Sequence, residues 1–169
     1  RQAGLGGGSM NSANFLNYLE KKNFIKINQR QKIKISNLVG SDVILGFQSK
    51  NSIITSRGSI KRYSNCPKFY TLLVKPKFGC STKEIYSKVK KFSKSKYNNP
   101  KKFMFSQKYL SIQENYLENV VFSIYPKLRE LKNFLLENDN LSFVRMTGSG
   151  SVLVAYFRLK QDCEIAKVK

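Results

Sequence analysis

The run Gly4-Leu5-Gly6-Gly7-Gly8-Ser9 places four glycines in five residues and ends on a hydroxyl. So many residues without a Cβ suit a loop where the backbone turns tightly or comes close to another group. A helical pattern follows. Asn11-Ser12 offers a cap, and Phe15, Leu16 and Leu19 form an apolar stripe. A glycine loop feeding a helix start is an anion site, because free N–H groups and the helix dipole both favour negative charge. Ser9 can donate its hydroxyl to a phosphate or bind Mg²⁺. A flexible linker, or a tight turn packing helix on sheet, would use the same residues, so the glycine run alone leaves these readings open. Two familiar phosphate cradles are excluded. A Walker loop needs Lys and then Ser or Thr after its last glycine, and here Ser9-Met10 follows Gly8. A dinucleotide fingerprint needs glycine at the sixth place, where Ser9 stands, and an acidic residue at a set distance after a strand, which is lacking.

The 169 residues are enough for one sizeable core or two small lobes. There is no His, which removes His-based acid–base chemistry, Ser-His-Asp triads and most zinc sites. Cys66, Cys80 and Cys163 form no CxxC pair and have no metal-ligand spacing; the sequence assigns them no role. An odd cysteine number without a secretory segment indicates a reducing cytoplasm. No stretch approaches the roughly 18 apolar residues of a membrane span. Residues 38–47 come nearest and are interrupted by Ser41-Asp42.

The charge is extreme: 31 Lys and Arg against 10 Asp and Glu, net +21. A basic patch attracts phosphate backbones whatever their sequence. Here, however, only seven of the 31 are Arg, and Lys, Asn, Ile, Ser, Phe and Tyr are all abundant. That pattern reads as a compositional drift over the whole chain, densest at residues 88–102. Its expected effect is attraction of an anionic small molecule, with a basic RNA-binding module as the weaker alternative.

Helices are expected at residues 28–38, with Ile33, Ile35 and Leu38 partly buried, at 82–92 on Ile85, Val89 and Phe92, and at 115–124 on Leu117, Val120, Val121 and Ile124. Pro126 fits the first turn of another, running to about Asn138 with Leu128, Leu131, Phe134 and Leu135 inward. A further helix starts at Gln161. Residues 52–55 and 59–63 suggest a hairpin around Ser56-Arg57-Gly58, and 69–74 is a strand. Residues 93–108 read as a surface loop. Strands at 143–146 and 152–157 are joined by Thr147-Gly148-Ser149-Gly150-Ser151. The alternation indicates an α+β fold.

Three segments, in order, resemble the motifs of the GHMP kinases. Gly4-Leu5-Gly6-Gly7-Gly8-Ser9-Met10-Asn11-Ser12-Ala13 is similar to their second motif. Val39-Gly40-Ser41-Asp42-Val43 is similar to their Gly-Ala-Asp-Val segment, and Arg145-Met146-Thr147-Gly148-Ser149-Gly150-Ser151 to their third glycine motif. Weaker likeness at 69–86 and 117–135 extends the resemblance over nearly the whole chain. Homoserine and mevalonate kinases typically carry Ser-Ser where Gly7-Gly8 stand. The triple-glycine form resembles the branch that phosphorylates the 2-hydroxyl of 4-diphosphocytidyl-2-C-methyl-D-erythritol in non-mevalonate isoprenoid synthesis.

The resemblance implies ATP and Mg²⁺ as cofactors and a two-lobed α+β fold. Its N-terminal lobe would be of the ribosomal protein S5 domain 2 type and its C-terminal lobe ferredoxin-like. Residues 1–62 would end the first lobe and residues 63–169 form most of the second. Asp42 would accept the proton of the attacking hydroxyl. Gly4, Leu5, Gly6, Gly7, Gly8, Ser9, Met10 and Asn11 would hold the phosphates, with Ser9 toward Mg²⁺. Thr147, Gly148, Ser149, Gly150 and Ser151 would close the site, the backbone N–H groups of Gly148 to Gly150 supporting it. Tyr86, which could stack on a cytosine, and Thr82 would lie on the cytidine side. By residues alone, Asp42 could equally be a turn former, the 147–151 segment a simple hairpin, and Tyr86 a core aromatic.

Departures from the pattern are Met10 where a second Ser is usual, Ile44 where Pro is usual, and Leu45-Gly46 where an aromatic is common. The chain begins without Met and stops inside an expected helix, which suggests an incomplete protein. The catalytic Lys and much of the cytidine pocket would lie on a preceding segment, so residues 1–169 alone are expected to lack turnover. The resemblance further implies a cytoplasmic monomer or weak homodimer acting on a small molecule. Another GHMP kinase with a different alcohol substrate is the nearest alternative.

Overall fold

The computed structural model describes residues 5–40, 42–55, 59–91 and 97–168. Gly4, Ser41, the hairpin tip Ser56-Arg57-Gly58, Phe92 and residues 93–96 of the expected loop fall outside them. The chain divides into two units, each with its own contacts. The smaller comprises Gly6–Ile53 with Arg62–Ser64, and the larger is built from Ile54–Lys61 and Asn65–Lys169.

The smaller unit holds three helices, α1 (Gly7–Lys21), α2 (Gln29–Val39) and α3 (Val43–Gly46). The hairpin strands β1 (Asn51–Ile54) and β2 (Ile60–Tyr63) pair with each other. Helix α1 begins at Gly7, four residues before the expected cap at Asn11-Ser12. Its N-cap is Gly6, with φ +64°, a left-handed conformation that glycine adopts without strain. Ser12 instead bonds back one turn, donating to Gly8 O at 3.0 Å. Helix α2 starts on a capping box: Asn28 Oδ1 accepts Gln31 N–H at 3.0 Å and Gln31 Oε1 accepts Asn28 N–H at 2.7 Å.

The buried faces of both helices differ from the expected stripes. Phe15, Ile33 and Leu38 are exposed, and Leu16, Leu19 and Ile35 are half-buried. In α1 the buried side is Ala13, because α3 crosses so close that only a small residue fits. In α2 it is Ser36, whose hydroxyl donates to Lys32 O at 2.8 Å. Lys32 pairs with Glu20 of α1 at 2.7 Å and lies 5.2 Å from the centre of the Phe47 ring. Arg62 Nη2 donates to Ile44 O at 2.7 Å and Nη1 to Ser52 Oγ at 3.2 Å, tying β2 to the end of α3 and to β1.

The larger unit is an antiparallel sheet of β3 (Tyr70–Val74), β4 (Leu141–Met146) and β5 (Leu153–Phe157), in the order β3-β5-β4. Val144 and Leu72 flank Ala155, and Met146 and Val74 flank Leu153. These alternate residues, with Phe157, face a core completed by the helices α4 (Thr82–Ser87), α6 (Glu118–Ile124), α7 (Pro126–Leu136) and α8 (Lys160–Val168). The helix α5 (Gln107–Ser111) and a 3₁₀ turn at Lys102–Phe105 replace part of the expected surface loop.

Several expected elements are shorter. Helix α4 ends at Ser87, not 92, so Val89 packs beyond the helix. Helix α6 begins at Glu118, not 115, and buries Glu118, Val121 and Phe122; Leu117, Val120 and Ile124 are only half-buried. Pro126 stands in the first turn of α7, but Phe134 is exposed while Leu128 and Leu135 fill the core. Among the described residues no helix is long and apolar enough to cross a membrane.

Candidate active site

The expected site residues lie on both units. In the smaller, the first glycine segment and the Gly40–Asp42 segment come together. A Cβ built on Gly40 would stand 3.5 Å from Ser9 Oγ. A Cβ on Gly6, Gly7 or Gly8 would meet nothing within 4 Å. A turn packed tightly on its neighbours would show crowding there; this one leaves the space open. No intrahelical partner exists for the N–H groups of the first turn of α1, and that turn carries no acidic residue. Gly7, Gly8, Ser9 and Met10 thus open the helix, with Met10 N–H donating to Gly6 O at 2.9 Å. Leu5 and Asn11 are exposed beside it.

Asp42 is exposed at the start of α3, yet its side chain does not cap that helix. Its backbone makes the turn instead: Asp42 O accepts Leu45 N–H at 3.1 Å, and Gly40 O accepts Val43 N–H at 3.0 Å. Val43 and Ile44, both buried, anchor the segment behind it. Gly46 has a different role. A Cβ there would lie 2.6 Å from that of Ala13 and 3.1 Å from Met10 Sδ, so this glycine allows α3 to cross α1. No three His, Cys, Asp or Glu side chains converge on a metal site among the described residues.

In the larger unit, the third glycine segment is a firmly held turn between β4 and β5. Thr147 N–H donates to Val152 O at 3.0 Å and Gly150 N–H to Thr147 O at 2.8 Å. The Gly150 N–H, expected to support the site, is therefore used within the turn. Gly150 has φ +85°, and a Cβ there would lie 3.0 Å from Met146 Sδ and 3.2 Å from Cys80 Sγ. Ser151, fully buried, donates to Phe78 O at 2.9 Å. The Cys80 thiol, pushed up by burial and then by the Glu84 carboxylate, is a packing group against this turn.

Thr82 and Ser149 are brought together, their hydroxyl oxygens 2.8 Å apart. Ser81 caps α4 by accepting Glu84 N–H at 3.3 Å, which fixes the helix that carries Thr82. Tyr86, four residues on, shares that helical face. It is 53% exposed and is not a core aromatic; Ile85 takes the core position. With Tyr116, Lys88, Lys90 and Lys91 it lines an open cavity of about 430 Å³.

Two residues that hold the turn had no recognised signal. Asn115 Nδ2 donates to Gly148 O at 2.7 Å and to Met146 O at 3.0 Å. Glu118 Oε1 accepts Met146 N–H at 2.8 Å, and its other oxygen pairs with Lys132. A clue to Glu118 was its spacing with Val121, Phe122 and Tyr125, which puts an acid on the buried row.

Nearly the whole chain is similar to known proteins. Residues 89–167 match the family described as GHMP kinases C terminal. A 4-diphosphocytidyl-2-C-methyl-D-erythritol kinase of Pelagibacter ubique is 50% identical over 166 residues, 98% of this chain and 59% of that protein. One from Clostridium tetani is 31% identical over 96% of this chain and 60% of its own length. The chain thus spans about three-fifths of the length of these curated relatives. A crystal structure of 4-(cytidine 5'-diphospho)-2C-methyl-D-erythritol kinase superposes with a TM-score of 0.78 at 20% identity, covering 98% of this chain and 61% of that one, and so shares the fold. Residues 89–167 thus match the C-terminal domain of the GHMP kinases, and nearly the whole chain is similar to 4-diphosphocytidyl-2-C-methyl-D-erythritol kinases.

Proposed function

We propose that this chain is part of an ATP-dependent kinase that phosphorylates the 2-hydroxyl of 4-diphosphocytidyl-2-C-methyl-D-erythritol, a step toward isoprenoid precursors. The observation that carries the reading is the 50% identity to the Pelagibacter ubique kinase over nearly the whole chain. The open glycine start of α1 beside the Gly40–Asp42 segment supports it, because phosphoryl transfer rests on positioning and charge stabilisation. In this reading residues 1–62 belong to the first lobe and 63–169 to the second.

Residues 4–11 hold the phosphates of ATP, with the N–H groups of Gly7, Gly8 and Ser9, which lack intrahelical partners, as the backbone donors. Asp42 orients the substrate hydroxyl and takes its proton. Residues 147–151 close over the phosphates, with Thr82 and Tyr86 toward the cytidine. The donor set suits Mg²⁺, which keeps several waters and binds largely through substrate phosphates, needing few protein ligands. Ser9 is the group on this chain that would reach it, and the metal would neutralise charge developing on the phosphates. The reading includes action in the cytoplasm as a monomer or weak homodimer. The three cysteines, all free thiols, accord with a reducing compartment.

The test is a panel of alcohols offered with ATP and Mg²⁺ to the full-length protein. The diphosphocytidyl substrate is expected to exceed homoserine and mevalonate by at least about 100-fold in kcat/KM, since a site built for a polar group rejects analogues that lack it. Preference for another alcohol would contradict the substrate and keep the kinase chemistry.

A further inference from the structure

β4 is the edge strand of its sheet, and β5 satisfies only one side of it. Because Thr147 N–H points to Val152 O, the alternation of an antiparallel ladder turns the N–H and C=O of Met146 outward. Met146 is 1% exposed. Unpaired, each of these groups would carry a desolvation cost. The corner leading into α6 answers both. Glu118 Oε1 takes the Met146 N–H, and Asn115 Nδ2 donates to Met146 O. The second amide hydrogen of Asn115 goes to Gly148 O, and its Oδ1 accepts Leu117 N–H at 3.0 Å. Both donors and the acceptor of this side chain are therefore committed.

The bond to Gly148 O has a directional effect. A trans peptide is planar, so the carbonyl of Gly148 and the N–H of Ser149 point opposite ways. By holding the carbonyl toward α6, Asn115 turns the Ser149 N–H away from it. The Gly150 N–H, by contrast, is spent on Thr147 O. We propose that Asn115 is a positioning residue for phosphoryl transfer, aiming the Ser149 N–H, while Glu118 secures the strand end from which the turn departs. This rests on the kinase reading above. A turn held before substrate arrives needs no reorganisation in the transition state, which is where such donors act.

Two measurements test it. In the ¹⁵N-labelled full-length protein, Asn115→Ala is expected to shift the Gly148 and Ser149 amide signals and speed their hydrogen exchange at least tenfold. Leu128→Val, which thins the core of the same unit, is expected to leave those signals in place. In the full-length protein, Asn115→Ala is expected to lower kcat at least tenfold, with KM for the alcohol changed less than threefold. Leu128→Val should lower the unfolding midpoint and keep kcat within twofold. Asn115→Asp retains the acceptor for Leu117 N–H and loses both donated bonds, so it should repeat the kinetic loss even if the Ala variant folds poorly. Unmoved Ser149 signals, or normal kcat in both Asn115 variants of an active parent, would overturn the inference. A parent without any kinase turnover would overturn the kinase reading instead.

Discussion

Glycines that look alike in the sequence do different things. Gly6, Gly7 and Gly8 border open space, whereas Gly46 and Gly150 sit where a Cβ would press on Ala13 or on Met146 and Cys80. The former keep a surface accessible, and the latter let backbone pass side chains closely. Gly7→Ala should therefore separate stability from function. The variant meets no neighbour, so its unfolding midpoint should stay level or rise, by up to about 1 kcal/mol in stability. Its methyl would stand on the face offered to phosphate, so KM for ATP in the full-length protein should rise at least threefold. Melting curves with ATP-dependent kinetics check both parts. Asp42, Ser9 and the 147–151 segment were legible as candidates because they carry recognisable chemistry in a recognisable order. Asn115 and Glu118 were not, because their partners are backbone groups some 30 residues away, and no local pattern announces such a bond.

Strands were easier to read than helix faces. Runs of apolar, aromatic and β-branched residues located β3, β4 and β5 to within one or two residues, because such side chains suit a pleated surface. Helix faces depend on what packs against them. Phe15 was expected in an apolar stripe and Leu38 partly buried, yet both are exposed; α1 turns Ala13 and Asn17 toward α3, and Asn17 Nδ2 reaches Gly46 O at 3.5 Å. That crossing relies on two small residues. Gly46→Ala is expected to cost about 1–3 kcal/mol through overpacking, read as a lower midpoint in thermal or urea unfolding. An unchanged midpoint would mean that α1 and α3 do not approach as closely as described. At the third glycine turn, α4 and the segment before α6 each supply a side-chain clamp, Thr82 to Ser149 and Asn115 to Gly148. The turn is thus held by elements far from it in sequence.

At the scale of the molecule, the mixed α and β architecture was legible from the order of motifs and elements, and the shared fold with a solved kinase agrees with it. The net charge of +21 was the least informative feature, because charge says more about solubility and association than about fold or chemistry. In the proposed function Asp42 serves phosphoryl transfer on a 2-hydroxyl. The most direct test is Asp42→Asn in the full-length protein, assayed for transfer of the γ-phosphate of ATP to 4-diphosphocytidyl-2-C-methyl-D-erythritol, with ATP binding measured in parallel. A general base contributes roughly 10²–10⁴-fold, so kcat should fall by about that factor while the Kd for ATP stays within a few-fold. Near-normal turnover in the variant would contradict the role of Asp42 and the account built on it.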